Sequence, residues 1–139
     1  MKAVIDTNIF IQAVAERNAL FPIYGRLLRG EYDLIISSEI FLEYREILST
    51  RGNPDVVVKV LRAIRSTPNV LSVDPTYNWR LIQADPDDDK FVDAAVAGNA
   101  DYLVTDDKHF NRLKHIEFPK LKVVRGDDFL DVLASFKQG

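Results

Sequence analysis

The sequence predicts an α/β domain built around a buried parallel sheet, and three observations carry that expectation. Short β-rich apolar runs alternate along the chain with longer stretches whose apolar residues recur at helical spacing. The 139 residues are 47% hydrophobic and 28% charged, which suits one domain with a sizeable core. The six glycines and six prolines are scattered, and no repeat, low-complexity tract or linker divides the chain, so 1–139 reads as a single domain.

Five strands are expected: Lys2 to Asp6, Asp33 to Ser37, Val70 to Val73, Tyr102 to Thr105 and Leu121 to Val124. After the first of these, Asp6-Thr7-Asn8 supplies polar residues that can cap a helix. Ile40, Phe41, Tyr44, Ile47 and Leu48 recur at helical spacing, as do Val57, Val60, Leu61 and Ile64, so each segment buries one stripe of a helix. Pro68 to Asp89 is the least regular stretch; with Pro75, Pro86 and the single tryptophan, Trp79, it reads as a surface connection holding at most a short helix. Phe91, Val92, Ala95 and Val96 form a third helical stripe, ended by Gly98-Asn99, two residues that tolerate left-handed backbone. Phe129, Leu130, Leu133 and Phe136 make a terminal helix with Asp127 as its N-cap.

Composition removes several kinds of chemistry. A net charge of −3 excludes the broad basic footprint of a protein that coats nucleic acid, so any such contact must be local. Without cysteine there is no disulfide framework, thiolate nucleophile or cysteine-bound zinc, and two histidines are too few for a His-rich metal site. The N-terminus meets an acid after three apolar residues, and no apolar run approaches the roughly 18 residues of a membrane span, so a cytoplasmic, membrane-free setting is expected. No Walker A loop, Gly-x-Gly-x-x-Gly, Gly-x-Ser-x-Gly elbow or His-Glu-x-x-His motif occurs, and His109 and His115 lack a nucleophile context. What remains for metal chemistry is carboxylate.

Carboxylates gather in four places. Val4-Ile5-Asp6-Thr7-Asn8 ends a buried strand in an acid, where ligands of open parallel sheets bind. Leu103-Val104-Thr105-Asp106-Asp107 ends another strand in the same way. Asp85-Pro86-Asp87-Asp88-Asp89 opens the helix that continues through Asp93, and like charges so close repel unless a divalent cation lies among them. Glu39, Glu43 and Glu46 share one side of a helix, from which one should point inward over the strand ends. Each feature also has a plain structural reading as a cap, a turn or a solvated face. Together they suit phosphodiester hydrolysis assisted by Mg²⁺ or Mn²⁺, hard cations that prefer oxygen ligands.

In order and spacing these motifs resemble the PIN-domain ribonuclease family, particularly the small single-domain toxins of type II toxin–antitoxin pairs, over nearly the whole chain. The resemblance implies a three-layer α/β/α sandwich with a central parallel sheet, and a metal-dependent endoribonuclease that hydrolyses RNA phosphodiester bonds. It implies Asp6, Glu43, Asp89 and Asp107 as the catalytic, metal-holding acids, with Mg²⁺ or Mn²⁺ as cofactor. Thr7 and Asn8 then orient the first acid, and Asp106 occupies a position often small in the family, leaving open which of the adjacent pair is the fourth acid. Asp85, Asp87, Asp88 and Asp93 are substitutes or companions, Asp93 sharing the helical face of Asp89. Partners implied are a second copy in a homodimer, an antitoxin peptide in the acidic groove, and single-stranded or loop RNA. Lys90, Lys108, His109, Arg112 and Lys114 are candidates for its backbone contacts. Competing readings are a catalytically inactive PIN-like scaffold that binds RNA or a protein, and a phosphoacceptor receiver-type domain, in which the helical acids have no role.

Overall fold

The computed structural model describes residues 1–75, 89–110 and 121–136. Among them are five strands, β1 (Lys2–Ile5), β2 (Asp33–Ile36), β3 (Val70–Ser72), β4 (Tyr102–Val104) and β5 (Lys122–Val124), and six helices, α1 (Thr7–Ala13), α2 (Phe21–Leu28), α3 (Ser38–Arg51), α4 (Pro54–Ser66), α5 (Asp89–Ala97) and α6 (Gly126–Ser135). The strands form one sheet in the order β3-β2-β1-β4-β5, every pair parallel. Parallel neighbours cannot be joined by tight hairpins, which is why α1 and α2 separate β1 from β2, and α3 and α4 separate β2 from β3.

Successive side chains of a strand point to opposite faces. Ala3, Val4 and Ile5 are nevertheless all 0–1% exposed, and Leu34 and Ile35 are fully buried, so the central strands are covered on both faces. That is the three-layer α/β/α sandwich expected from the sequence. The edge strands β3 and β5 are only partly buried, as the margins of such a sheet should be. Phe10, Tyr44, Phe91, Phe110 and Phe129 supply the largest fully buried side chains of the core. No helix among the described residues is long and apolar enough to cross a membrane.

Strand ends lie a residue or so inside the expected bounds, and the difference matters for the site. Asp6, Val73 and Thr105 stand just past their strands, yet each still donates its amide to a neighbouring carbonyl, at 2.9, 2.8 and 2.8 Å. They are therefore fixed by the ladder while their side chains stand at the carboxyl edge. Ser37 stands likewise after β2 and caps α3 by accepting the Ile40 amide at 3.2 Å.

Two local expectations are corrected, and one helix lies outside the expected elements. The helix Phe21–Leu28 is absent from the expected elements; its Pro22 lies in the first turn, where a missing N–H is harmless. The last helix begins at Gly126 with Arg125 as its cap, and Phe136 falls just beyond its end, so Asp127 lies in the first turn instead of capping. The Gly126 amide is instead accepted by Asp106, which follows the neighbouring strand β4, at 3.0 Å. The expectations for Trp79, Asp85, Asp87, Asp88, Arg112, Lys114 and His115 fall outside the described residues.

At the end of α5 the two stop residues divide the work. Asn99 takes the left-handed conformation, with φ 55°. Gly98 instead allows close approach to β2: a Cβ there would lie 2.4 Å from Ile35 Cδ1. Gly98→Ala should therefore lower stability by about 1–3 kcal/mol, the usual range for overpacking. A reduced urea midpoint with unchanged m-value checks this, and an unchanged midpoint contradicts it.

Candidate active site

Strand order creates the site. The chain leaves β1 for β2 and β3 on one side of the sheet and returns to pair β4 on the other, so a crevice opens beyond the carboxyl ends of β1 and β4. Asp6 follows β1 and Thr105-Asp106-Asp107 follows β4, and the Val104 carbonyl accepts the Asp6 amide between them. The crevice, of about 400 Å³, is lined by Asp6, Asn8, Gln12, Arg51, Asp106 and Asp107 among others.

Asp6 is only 7% exposed. Its Oδ2 accepts the Thr105 hydroxyl at 2.7 Å, and Thr105 Oγ1 in turn accepts the Asp107 amide at 3.0 Å. One threonine thus sets both acids. Burial pushes the Asp6 carboxyl above the ordinary aspartate range; hydrogen bonds from Thr105 and the Thr7 amide oppose this, and the charges of Asp107 and Glu43 add to it. Below Asp6, the buried Tyr44 hydroxyl donates to the Ile5 carbonyl, and its ring stacks on Phe10 with centroids 4.1 Å apart. This carbonyl at the end of β1 is therefore satisfied by a side chain that also anchors α3.

The helix α3 turns Glu43 inward and leaves Glu39 and Glu46 exposed. Both Glu43 oxygens are held: Oε2 accepts the Thr7 hydroxyl, and Oε1 pairs with Lys90 Nζ at 3.0 Å. That Lys90 side chain is 13% exposed, so it belongs to the site's interior and not to the solvated surface. Asp89, half-buried, is the first residue of α5, and the buried Asp93 follows one turn later. Asp107 accepts the His109 amide at 2.9 Å, while exposed Asp106 caps α6 and faces Arg125 at 4.0 Å.

The four acids picked out in the sequence are thus distributed rather than fused. Asp6 and Asp107 line the crevice, Glu43 stands beside it through Thr7, and Asp89 opens α5 next to Lys90. Among the described residues no three of them form a group that could hold a metal ion between them. The donors are nonetheless all carboxylate and hydroxyl oxygens, the set that suits Mg²⁺ or Mn²⁺. Exposed Lys108 and His109 follow Asp107. Sequence reasoning missed Arg51 and Gln12, brought to the crevice by α3 and α1, and the pairing of Lys90 with Glu43. No local motif marks them, since packing of α1 and α5 on α3 brings them together.

Comparison with known proteins gives a consistent picture. The family described as PIN domain matches residues 2–109. The uncharacterized protein MJ1680 of Methanocaldococcus jannaschii is 29% identical, over 98% of this chain and 94% of that relative. Among solved structures, VapBC2 from Rickettsia felis, bound to a DNA fragment from their promoter, matches with a TM-score of 0.61 at 20% identity, over 90% of this chain and 98% of that chain. VapBC-1 from nontypeable Haemophilus influenzae matches with a TM-score of 0.59 at 20% identity, over 91% and 99%. The fold is shared with both.

Asp6 yields a pH-dependent prediction. Its carboxyl is held above its unfolded value, so the folded chain binds that proton more tightly than the unfolded one. Its contribution to stability is therefore greatest below the ordinary aspartate pKa of about 3.9 and falls as pH rises through the acid range above it. Asp6→Asn keeps an oxygen to accept the Thr105 hydroxyl and removes the buried charge. In EDTA its thermal midpoint should exceed wild type by a few degrees at pH 7, and the gap should close on acidification. A midpoint below wild type at pH 7 contradicts this.

Proposed function

Because the chain belongs to the PIN domain family, we propose that it is a metal-dependent endoribonuclease in which Asp6, Glu43, Asp89 and Asp107 form the catalytic, cation-holding set. The observation that carries this reading is Asp6: a buried carboxyl at the point where strand order reverses, pushed up by burial and by the charges of Asp107 and Glu43. Such crowding destabilises a protein unless a cation offsets it. When bound, Mg²⁺ or Mn²⁺ supplies activation of water and neutralises charge developing on the phosphodiester.

The chain's own residues do the rest. Thr105 fixes the Asp6 carboxylate and the Asp107 backbone at once, so the two acids keep a set spacing. Thr7 and Lys90 hold Glu43 from two sides, limiting its reorientation. Arg51, which lines the crevice with the acids, contacts a backbone phosphate of the substrate. Asp107 is the fourth acid, since its charge acts on Asp6, whereas Asp106 is committed to the start of α6.

We propose further that this is a toxin acting on RNA in the cytoplasm, a homodimer restrained by an antitoxin; likeness of fold to the VapBC chains supports the toxin–antitoxin part of that reading. A second reading, a non-catalytic scaffold, draws on the full occupancy of Glu43 by Thr7 and Lys90.

Incubation with a mixed RNA pool separates the two. The nuclease reading expects cleavage in Mn²⁺ or Mg²⁺, abolished by EDTA and reduced about 100-fold or more in Asp6→Asn, the scale of loss when a group that stabilises a transition state is removed. Intact RNA after incubation with folded, inhibitor-free protein overturns it in favour of the scaffold.

A further inference from the structure

A second depression opens on the same edge of the sheet, between α3 and α4, where Ser37 follows β2 and Ser72 ends β3. It has a volume of about 460 Å³, within the range of small-molecule sites. Ile64, Val70 and Val73 contribute apolar lining. Its chemistry is set by Phe41, Arg45 and Arg65: the Arg65 guanidinium lies over the Phe41 ring, 5.1 Å from the centroid, and Arg45 stands one helical turn beyond Phe41.

We propose that this groove binds a nucleotide of a single-stranded RNA chain beyond the cleavage point, with a base stacked on the Phe41–Arg65 layer and phosphates on Arg45 and Arg65. The inference rests on the nuclease reading above and deepens it by assigning a substrate subsite. Charge is the first argument: no acid lines the groove among the described residues, although the chain as a whole carries −3. A local basic patch is what a net-acidic protein needs to hold a polyanion. Chemistry is the second, since a guanidinium layered on an aromatic ring presents flat π surface together with positive charge, the pair of features that takes unstacked bases.

Placement is the third. Glu43 leaves one side of α3 toward Thr7 and the acids, while Phe41 and Arg45 leave the other side toward the groove. Parallel strands are spaced about 4.8 Å apart, so the ends of β2 and β3 lie roughly 5–10 Å along the edge from the end of β1. A short run of single-stranded nucleotides spans that distance, whereas a rigid duplex does not follow such an edge into a narrow groove.

The test is binding of a fluorescein-labelled single-stranded RNA oligomer to full-length protein in EDTA, by anisotropy across a salt series. Arg45→Gln with Arg65→Gln should weaken binding by on the order of tenfold or more. It should also flatten the dependence of log affinity on log salt by about 0.7 for each phosphate that is no longer neutralised. Phe41→Ala should weaken binding by on the order of tenfold with the slope retained. Lys59→Gln with Arg62→Gln, an equal change of charge on the exposed part of α4, is the control and should have a much smaller effect. Both arginines are exposed, so the double variant is expected to fold, which circular dichroism confirms. Equal weakening by the control pair, or unchanged binding in the groove variants, overturns the subsite. A changed oligomeric state with unchanged RNA affinity makes the groove a protein interface and also overturns it. If wild type cleaves RNA in Mn²⁺ while the groove variants bind as wild type does, only the subsite fails; if wild type neither cleaves nor binds RNA, the nuclease reading falls with it.

Discussion

The pairing of β1 with β4 is the constraint on which the rest of the structure depends. It joins residues about a hundred positions apart, and it brings an acid just past one strand against a threonine just past its neighbour. Burial of an unpaired carboxylate is unfavourable, and here one O–H from Thr105 and the amide of Thr7 offset only part of that cost. The sandwich supplies the remainder through apolar strands covered on both faces and through Tyr44, which holds the end of β1 from below. Stability made in the core is thus spent at the carboxyl edge, the usual relation between a scaffold and a reactive site.

One helix links core, acids and groove. Tyr44 on α3 enters the core, the adjacent Glu43 reaches Thr7 and Lys90, and Phe41 and Arg45 face the depression against α4. These directions follow from a period of 3.6 residues, which spreads positions 41, 43, 44 and 45 around the helix. A displacement of α3 would therefore disturb the Ile5 carbonyl, the orientation of Glu43 and the Phe41–Arg65 layer together. Their shared dependence also explains why a buried phenol sits directly beside a candidate catalytic acid.

Much of the architecture was legible because buried parallel strands leave an unusually plain mark. Val4-Ile5 and Leu34-Ile35-Ile36 are apolar without alternation, and only a sheet covered on both sides accommodates that. Family membership and fold were legible from the order of the acidic motifs as well. Other features were not, each for a physical reason. The helix Phe21–Leu28 carries Pro22 and Gly25; the proline is harmless in the first turn, and burial of Ile23, Tyr24 and Leu27 offsets the glycine. Asp106 and Asp107 look alike in sequence, and only the folded contacts distinguish them: Asp106 accepts the Gly126 amide, whereas Asp107 is tied to Thr105 and acts on Asp6. Arg51 and Lys90 acquire their surroundings from helix packing, which no local spacing encodes.

The central claim of the proposal is that Asp6 and Asp107, at the ends of β1 and β4, take part in holding a divalent cation. Thermal unfolding of wild type and Asp6→Asn across a Mn²⁺ titration tests it most directly, because a ligand that binds only the folded chain raises the midpoint with its own concentration. The account predicts a steady rise for wild type and a flat or much weaker response for Asp6→Asn. A wild-type midpoint that stays fixed through millimolar Mn²⁺, or an equal rise in the variant, contradicts it.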